Sequence, residues 1–376
     1  DPAAPLFNNA ISSVSTPGSI FKMATAVAGL MEGEITVDTV IDDAGPYNKY
    51  VQEGARAPEC WVSPNFSHHS GGQNVVLALK NSCNYFFYEV ADRLGIDRLM
   101  QWADNFGLTS KTNIELTNEA VGWIGNQDIL YDPDLPIDEQ RTNKPTLVYN
   151  RIYEQLQAYG EERGVTYSEE QLKLAATELV DLARLGRLDI GPEIRQVLSD
   201  TLDIPQNVSL RRGWTNDILN WLRELIWTST DTVTQGIGVT PTQLTPIAVA
   251  RYLCALANGG KVYEANIVDK IIDSQGNVVQ DFEPVLVRDL EFPQEVQSAI
   301  MEGMEQVVSA EDGGTAGAAF SGFAYSDQIV GKTGTAPIST IDIEDNIWLC
   351  LLAPKEDPEI AVVVFLPNGF STSKAY

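Results

Sequence analysis

The chain has 376 residues and a net charge of −27, from 52 acidic and 25 basic residues. This acidic excess excludes nucleic-acid binding and recruitment to anionic lipid surfaces, because like charges repel. Hydrophobic residues make up 44% of the sequence, which is enough for a folded core. The longest apolar runs are strand-sized and far shorter than the roughly 20 residues of a membrane-spanning helix.

The first predicted element is a helix that begins at Ser19. Residues 1–18 are loop-like, and apolar side chains then recur at helical spacing as far as Glu32. Lys22 follows Ser19 by three positions and lies on the same helical face. An amine placed there can take the proton of the serine hydroxyl, so Ser19 is a candidate nucleophile and Lys22 a candidate base. The pattern is not specific by itself, since a helix cap with a solvated lysine also fits it and residues 371–374 repeat it.

A second candidate motif lies at the corner between two predicted helices, over residues 74–80 and 84–94. Ser82-Cys83-Asn84 occupies this corner. A tight corner can direct the side chains of Ser82 and Asn84 into one cleft, although ordinary helix capping is the alternative. Ser63-Pro64-Asn65 also matches Ser-x-Asn, but its proline disrupts regular structure.

Charged, periodic segments between residues 126 and 226 divide the chain into three parts. The outer parts cover residues 1–125 and 227–376, and the central part predicts amphipathic helices over residues 145–160, 168–187, 191–203 and 211–226. Ser168 with Gln171 predicts a capping box at the start of the second of these helices. No chemical motif occurs in the central part. We expect a helical insertion that forms a surface subdomain or contacts a partner.

The closing part is predicted to end in three antiparallel strands. It begins with a helix over residues 245–257 and a hairpin of residues 267–272 with 278–282. A second helix over residues 293–308 follows, and the three strands cover residues 326–335, 346–353 and 360–366. Strands joined by short turns pair in the antiparallel sense.

A third candidate motif, Gly331-Lys332-Thr333-Gly334-Thr335, lies on the first of these strands. A phosphate-binding P-loop is the rival interpretation, but no helix is predicted after Thr333 and Ser326 occupies the position of the first glycine. Gly334 within a strand instead indicates the close approach of another backbone or of a substrate.

The cysteines and histidines form no recognisable metal or disulfide pattern. Cys60, Cys83, Cys254 and Cys350 are too scattered for a disulfide framework or a paired zinc motif. Cys60 and Cys83 could pair in an oxidising compartment, and the other two are expected in the core. The only two histidines are adjacent in one loop, which excludes a Ser-His-Asp triad and is poor evidence for a metal. We therefore expect no metal and no cofactor.

Ser-x-x-Lys, Ser-x-Asn and Lys-Thr-Gly in this order resemble the penicillin-binding transpeptidase and serine β-lactamase superfamily. The flanking residues resemble class B penicillin-binding proteins, most closely the elongation type: Thr16-Pro17-Gly18, Gln235-Gly236-Ile237-Gly238 with Thr240-Pro241, and Ala257-Asn258-Gly259-Gly260. The resemblance covers about residues 8–124 and 227–373.

The resemblance implies an α+β fold of the β-lactamase/transpeptidase type. In this fold an antiparallel sheet of five strands has helices on both faces and an all-helical subdomain beside it, here with the insertion added. The family's first two strands and last helix lie outside the matched residues, so we expect an uncovered sheet edge and sheet face. The family also implies a location at the extracytoplasmic face of the bacterial membrane, held by an N-terminal anchor outside this chain.

The resemblance further implies a catalytic role for five side chains. Ser19 would attack the terminal D-Ala-D-Ala of a peptidoglycan stem peptide, with Lys22 as its base. Burial and the ammonium group of Lys332 would lower the pKa of Lys22. Ser82 would relay protons to the leaving amine, and Asn84 would bind the substrate backbone.

The third motif would bind the terminal carboxylate of the substrate through Lys332, Thr333 and Thr335, with Gly334 between the two threonines. The backbone amides of Ser19 and Thr335 would form the oxyanion hole. Expected partners are stem peptides, β-lactam antibiotics, a membrane glycosyltransferase and other cell-wall synthesis proteins.

Four other activities share these motifs. A D,D-carboxypeptidase uses water as acceptor, and a class A β-lactamase needs an additional glutamate, for which Glu115 with Asn118 is only a loose match. A β-lactam sensor and a non-catalytic cell-wall scaffold are the alternatives outside enzyme function.

Overall fold

The computed structural model describes residues 7–51, 56–63, 68–239, 241–336 and 345–369. The chain divides into two units, of which one comprises Asp1–Ile124 with Ser229–Tyr376 and the other Gly125–Thr228. None of the helices in these ranges is long and apolar enough to cross a membrane. The repeated Ser-x-x-Lys at residues 371–374 lies outside the described residues, as does most of the repeated Ser-x-Asn.

Four helices in the first part of the larger unit carry the first two motifs: α1 (Asn9–Ser12), α2 (Lys22–Met31), α3 (Val75–Lys80) and α4 (Asn84–Asn105). The helix predicted from Ser19 begins with a 3-10 turn, Gly18–Phe21, that runs directly into α2. Gly95, with a φ of 76°, kinks α4 directly after the end of the helix predicted over residues 84–94.

The second unit is entirely helical in its described elements: α5 (Gln127–Leu130), α6 (Lys144–Arg163), α7 (Glu169–Asp181), α8 (Gly191–Leu202), α9 (Gln206–Arg211) and α10 (Trp214–Leu222). Ser168 caps α7 in a capping box with Gln171, as predicted. The helix predicted over residues 211–226 corresponds to α10 and the 3-10 turn Arg223–Leu225, whereas α9 was not predicted and is separated from α10 by Gly213 in the left-handed region. Tyr159 stacks on Trp214 at a ring-centroid distance of 4.0 Å in the centre of the unit.

The second unit has the properties of an independently folding domain. Most of its buried apolar residues form one cluster drawn from the unit itself. Its two ends meet where Gln127 Nε2 donates to the Leu225 carbonyl and Gln127 Oε1 accepts from the Trp227 amide, both at 2.9 Å.

We expect residues 125–228 expressed alone to unfold in one cooperative transition in urea, followed by circular dichroism. Trp214→Ala should then reduce the free energy of unfolding by about 3–5 kcal/mol, since it removes one of the two stacked rings. A broad, non-cooperative transition of the isolated segment would contradict this prediction.

In the described residues of its closing part, the larger unit has four α-helices and seven strands: α11 (Ser229–Gln235), α12 (Pro246–Ala257), β1 (Lys261–Tyr263), β2 (Lys270–Ile272), β3 (Val278–Asp281), β4 (Leu286–Asp289), α13 (Gln294–Val308), α14 (Gly317–Phe320), β5 (Val330–Ala336), β6 (Asn346–Ala353) and β7 (Ile360–Leu366). Strands β5, β6 and β7 form an antiparallel sheet in that order, with the third motif on β5. The predicted hairpin is β2 with β3, while the pairing of β1 with β4 was not predicted.

One face of the three-stranded sheet belongs to the core. Trp348, Cys350 and Leu352 on β6 are at most 1% exposed on this face. On the other face, the β7 side chains are 40–59% exposed: Ile360, Val362, Val364 and Leu366. The α+β class with an antiparallel sheet is therefore confirmed, and the expected exposed face is observed along β7, whereas the end of α13 packs on the β6 part of this face. Cys254 is exposed on α12, so its predicted place in the core is wrong.

Candidate active site

Ser19 lies where the first helical turn packs directly on strand β5. A Cβ atom on Gly18 would lie 2.5 Å from the Thr335 carbonyl oxygen, and one on Gly334 would lie 2.8 Å from the Pro17 carbonyl oxygen. Real Cβ atoms do not approach so closely, so only glycine fits at either position. This contact holds the partly exposed Ser19 beside β5.

Lys22 is fully buried one turn after Ser19 and is bound by the second motif. Its Nζ donates to the Ser82 carbonyl at 2.7 Å, to Ser82 Oγ at 3.1 Å and to Asn84 Oδ1 at 2.6 Å. Burial lowers the pKa of Lys22 to about 8, although the nearby thiols of Cys60 and Cys83 oppose this effect. An uncharged fraction of Lys22 therefore exists near neutral pH, as a general base requires.

Ser82 connects the two lysines of the site. Its Oγ accepts from Lys22 Nζ at 3.1 Å and from Lys332 Nζ at 3.0 Å. Its φ of 49° lies in the left-handed region, which costs a residue with a side chain about 1–2 kcal/mol. The backbone bonds from Ser82 to Leu79 and from Cys83 to Ala78 hold this turn. The corner predicted from the sequence thus places a hydroxyl group within hydrogen-bonding distance of both amines.

Lys332 is also fully buried, and its Nζ donates to the Thr333 carbonyl at 3.0 Å. Burial, followed by the positive charge of Lys22, lowers the pKa of Lys332 well below its ordinary value. Burial is thus the main cause of the lowered pKa at both lysines, and repulsion between the two ammonium groups adds to it at Lys332. Thr333 and Thr335 are partly exposed on the same strand.

Thr315 is a site residue that the sequence did not single out. Its Oγ1 lies 3.2 Å from Thr333 Oγ1, so one hydroxyl donates to the other. Thr315 comes from the loop that follows α13, and no motif marks this position. The contact restricts the orientation of the Thr333 hydroxyl, which is expected to bind the substrate carboxylate.

Four side chains that can bind a metal meet beside the second motif. Asp43, Cys60, His69 and Cys83 offer ligand atoms that all lie within 4.8 Å of one another. His69 Nδ1 lies 3.0 Å from Asp43 Oδ2 and 3.4 Å from Cys60 Sγ, and Cys83 Sγ donates to Asp43 Oδ2 at 3.7 Å. Two thiols, an imidazole and a carboxylate together form a donor set suited to tetrahedral Zn²⁺.

This cluster could not be recognised from spacing. Three of its members come from the irregular segment between α2 and α3, and Cys83 is the middle residue of Ser-x-Asn. Cys60 and Cys83 are free thiols in the structure, so their possible pairing is not observed. Burial lowers the pKa of His69, but hydrogen bonds with Cys60 and Asp43 raise it by more, which shows how strongly these groups interact.

We expect the purified protein to bind one equivalent of Zn²⁺, measured by mass spectrometry of metals after dialysis against zinc. Because a ligand that binds only the folded state stabilises that state, removal of the Zn²⁺ with a chelator should lower the melting temperature of the protein. Cys83→Ser and His69→Ala should reduce the zinc content, and Cys254→Ser, at the exposed cysteine, should not. Protein that stays metal-free after dialysis would support the original expectation of no metal.

Comparisons with known proteins agree on one family. The sequence profile of the penicillin binding protein transpeptidase domain matches residues 1–181 and 209–375. The peptidoglycan D,D-transpeptidase MrdA of Haemophilus influenzae is 24% identical over 98% of this chain and 44% of its own length. MrdA of Escherichia coli K12 is 37% identical over 32% of this chain and 18% of its own length. The chain thus spans less than half the length of these curated relatives.

Solved structures show the same fold. Pseudomonas aeruginosa PBP2 in complex with WCK 5153 superposes with a TM-score of 0.61 at 23% identity, covering 100% of this chain and 61% of that one. The penicillin G acyl-enzyme complex of Mycobacterium tuberculosis penicillin-binding protein A gives a TM-score of 0.59 at 21% identity, covering 99% and 59%. Because the family match extends over most of the sequence, the chain belongs to the family of penicillin-binding protein transpeptidase domains.

Proposed function

We propose that this domain is a peptidoglycan D,D-transpeptidase that cross-links stem peptides through an acyl-enzyme on Ser19. The observation that carries the proposal is the position of Ser82 Oγ within 3.1 Å of both buried amines, next to the helical turn that presents Ser19. A base, a proton relay and a second cation are thereby assembled in one hydrogen-bonded group. Acyl transfer through a serine requires catalytic groups of these kinds.

In the first half-reaction, Ser19 Oγ attacks the carbonyl carbon of the D-Ala-D-Ala peptide bond, and Lys22 takes the hydroxyl proton. The backbone amides of Ser19 and Thr335 stabilise the resulting oxyanion, where one donor is worth about 3 kcal/mol. The carbon–nitrogen bond then breaks, and a proton passes through Ser82 to the leaving amine. The products are free D-alanine and an ester on Ser19.

In the second half-reaction, an amine of a neighbouring stem peptide attacks the ester carbonyl. The amine loses its proton to the Lys22 and Ser82 pair, the new amide bond forms as the ester bond to Ser19 breaks, and Ser19 Oγ recovers its hydroxyl proton. Strand β5 pairs with β6 along one side among the described strands, so its other side can bind an extended peptide. Lys332, Thr333 and Thr335 on this strand would then hold the substrate carboxylate, with Gly334 keeping the backbone close.

A β-lactamase activity is disfavoured by the position of Glu115. Its carboxylate accepts hydrogen bonds from the amides of Ile267 at 2.8 Å and Val268 at 3.4 Å, so it anchors the segment before β2. A glutamate used in this way does not position water for hydrolysis of the ester.

We further propose that the domain acts at the extracytoplasmic face of the membrane with other cell-wall synthesis proteins. Support comes from structures with the same fold, described as a complex between Helicobacter pylori PBP2 and MreC and as a peptidoglycan synthase complex that coordinates polymerization and crosslinking. A membrane glycosyltransferase is therefore the expected partner.

Intact-mass measurement after addition of penicillin G tests the nucleophile. We expect a stable one-to-one adduct that Ser19→Ala abolishes and that Ser371→Ala, in the repeated motif, leaves unchanged. A stem peptide ending in D-Ala-D-Ala should then give a cross-linked dimer together with free D-alanine. Release of D-alanine without dimer would indicate a carboxypeptidase, rapid loss of the adduct a β-lactamase, and an adduct without peptide turnover a sensor. Absence of any adduct on folded protein would favour a scaffold.

The rate of acylation by penicillin G should rise with pH and level off above about pH 8, because Lys22 acts as a base only after losing its proton. Below this pH the rate should fall about tenfold for each pH unit. Stopped-flow measurements between pH 6 and 9 would record how the acylation rate depends on pH. The circular dichroism of the protein should be constant over this range. A flat profile would exclude Lys22 as the group that titrates.

A further inference from the structure

Asn84 is held in place by Glu59 and Cys60, two adjacent residues that belong to none of the three motifs. Its side-chain Nδ2 donates to the Glu59 carbonyl at 3.2 Å, and its backbone amide donates to Cys60 Sγ at 3.2 Å. On the other side, Asn84 Oδ1 accepts from Lys22 Nζ at 2.6 Å. Both ends of the carboxamide are therefore occupied, and its orientation is determined by the Glu59 carbonyl and the Lys22 amine together.

The Glu59 carbonyl is in turn fixed by a tyrosine on the next turn of α4. Tyr88 donates its hydroxyl hydrogen to this carbonyl at 3.2 Å. The ring of Tyr88 is 3% exposed and packs edge-on against Tyr47 at a centroid distance of 5.8 Å. Burial raises the pKa of Tyr88, so its hydroxyl remains a donor at physiological pH.

We propose that Tyr88 is a positioning residue for Asn84 and acts through the Glu59 carbonyl. The Glu59 carbonyl accepts one hydrogen of the Asn84 carboxamide, and the Tyr88 hydroxyl also interacts with the Asn84 side chain directly, so both contacts determine which way the carboxamide faces. If the carbonyl moved, the carboxamide could rotate and turn its own hydrogens toward Lys22, where two donors would face each other. Tyr88 prevents this rotation without touching substrate. The inference rests on the proposed acylation of Ser19.

A double-mutant cycle on the rate constant of acylation by penicillin G tests this role. Tyr88→Phe removes one hydroxyl and creates no cavity. It should reduce the second-order acylation rate constant about three- to tenfold, the effect of one lost hydrogen bond. In an Asn84→Ala background the same substitution should have no further effect, because the group that it positions is absent. Tyr85→Phe is the matched control, since Tyr85 is a partly buried neighbour on the same helix.

Two results would overturn the inference. An equal reduction in both backgrounds would show that Tyr88 supports the fold and does not act through Asn84, and melting temperatures of all variants would reveal such a general effect. No reduction in the wild-type background would show that the Glu59 carbonyl holds its place unaided. Acylation of the wild type tests the proposed function itself. If the wild type is acylated but the cycle shows no coupling between Tyr88 and Asn84, only the positioning role of Tyr88 is contradicted.

Discussion

Lys22→Arg is expected to lower the rate of acylation by penicillin G by about a hundredfold to ten-thousandfold, the range associated with loss of a general base. Arginine keeps the positive charge and the hydrogen-bond donors that Ser82 and Asn84 accept, but it does not release its proton in proteins. The structure gives Lys22 a lowered pKa and direct contact with Ser82, the proposed relay, which supports the proposal that this proton transfer is its particular contribution.

Two further variants make the result decisive. Lys22→Met removes the amine at similar volume, and it should be as inactive as Lys22→Arg if the missing base, and not overpacking by the larger guanidinium, is the cause. Lys111→Arg, at an exposed lysine in the same unit, should leave the rate unchanged. Near-normal acylation in either Lys22 variant, with native circular dichroism, would assign the base to another group.

Trp348→Ala should have the largest effect on the stability of the larger unit, about 3–5 kcal/mol. Trp348 is 0% exposed at the centre of β6, and its ring lies 4.4 Å from that of Phe365. Its Nε1 donates to the Thr16 carbonyl at 2.9 Å, shortly before Ser19. The substitution therefore creates a cavity and removes the donor that ties the segment before Ser19, the proposed nucleophile, to the sheet.

Urea unfolding of the full chain, resolved into the transitions of its two units, measures this loss. Trp348→Phe should cost less than Trp348→Ala, because the ring remains and only the hydrogen bond and part of the volume are lost. Val364→Ala, on the exposed face of β7, should change the free energy of unfolding by no more than about 1 kcal/mol. Equal effects of the alanine substitutions at Trp348 and Val364 would contradict the assignment of the buried face.

Local patterns in the sequence predicted those parts of the fold that depend on local interactions. Ser168 with Gln171 marked the start of α7, because a capping box is formed by residues three apart. The helix at Lys22 and the strand at Lys332 followed from periodicity in the same way. The three chemical motifs could be placed on these elements, and their order along the chain indicated the family.

The rest depends on contacts between distant residues, which no window of sequence contains. Strand β1 is three residues long and pairs with β4 only after an intervening hairpin. Arg251 is buried within α12 because its guanidinium donates to the carbonyls of Ser110 and Lys111, far away in the chain. The cluster around Asp43 and Cys83 is hidden for the same reason, since an irregular segment of the fold brings the donors together.

The junction formed by Gln127 with Leu225 and Trp227 also bears on how the protein folds. The larger unit is interrupted by about a hundred residues, and closing a flexible loop of that length costs more entropy than closing a loop of a few residues, by about 3 kcal/mol. Once the second unit has folded and its two ends are joined, the interruption behaves as a short connection. Early folding of the second unit would therefore speed assembly of the larger one, and substitutions that loosen the junction should slow refolding of the serine site without touching it.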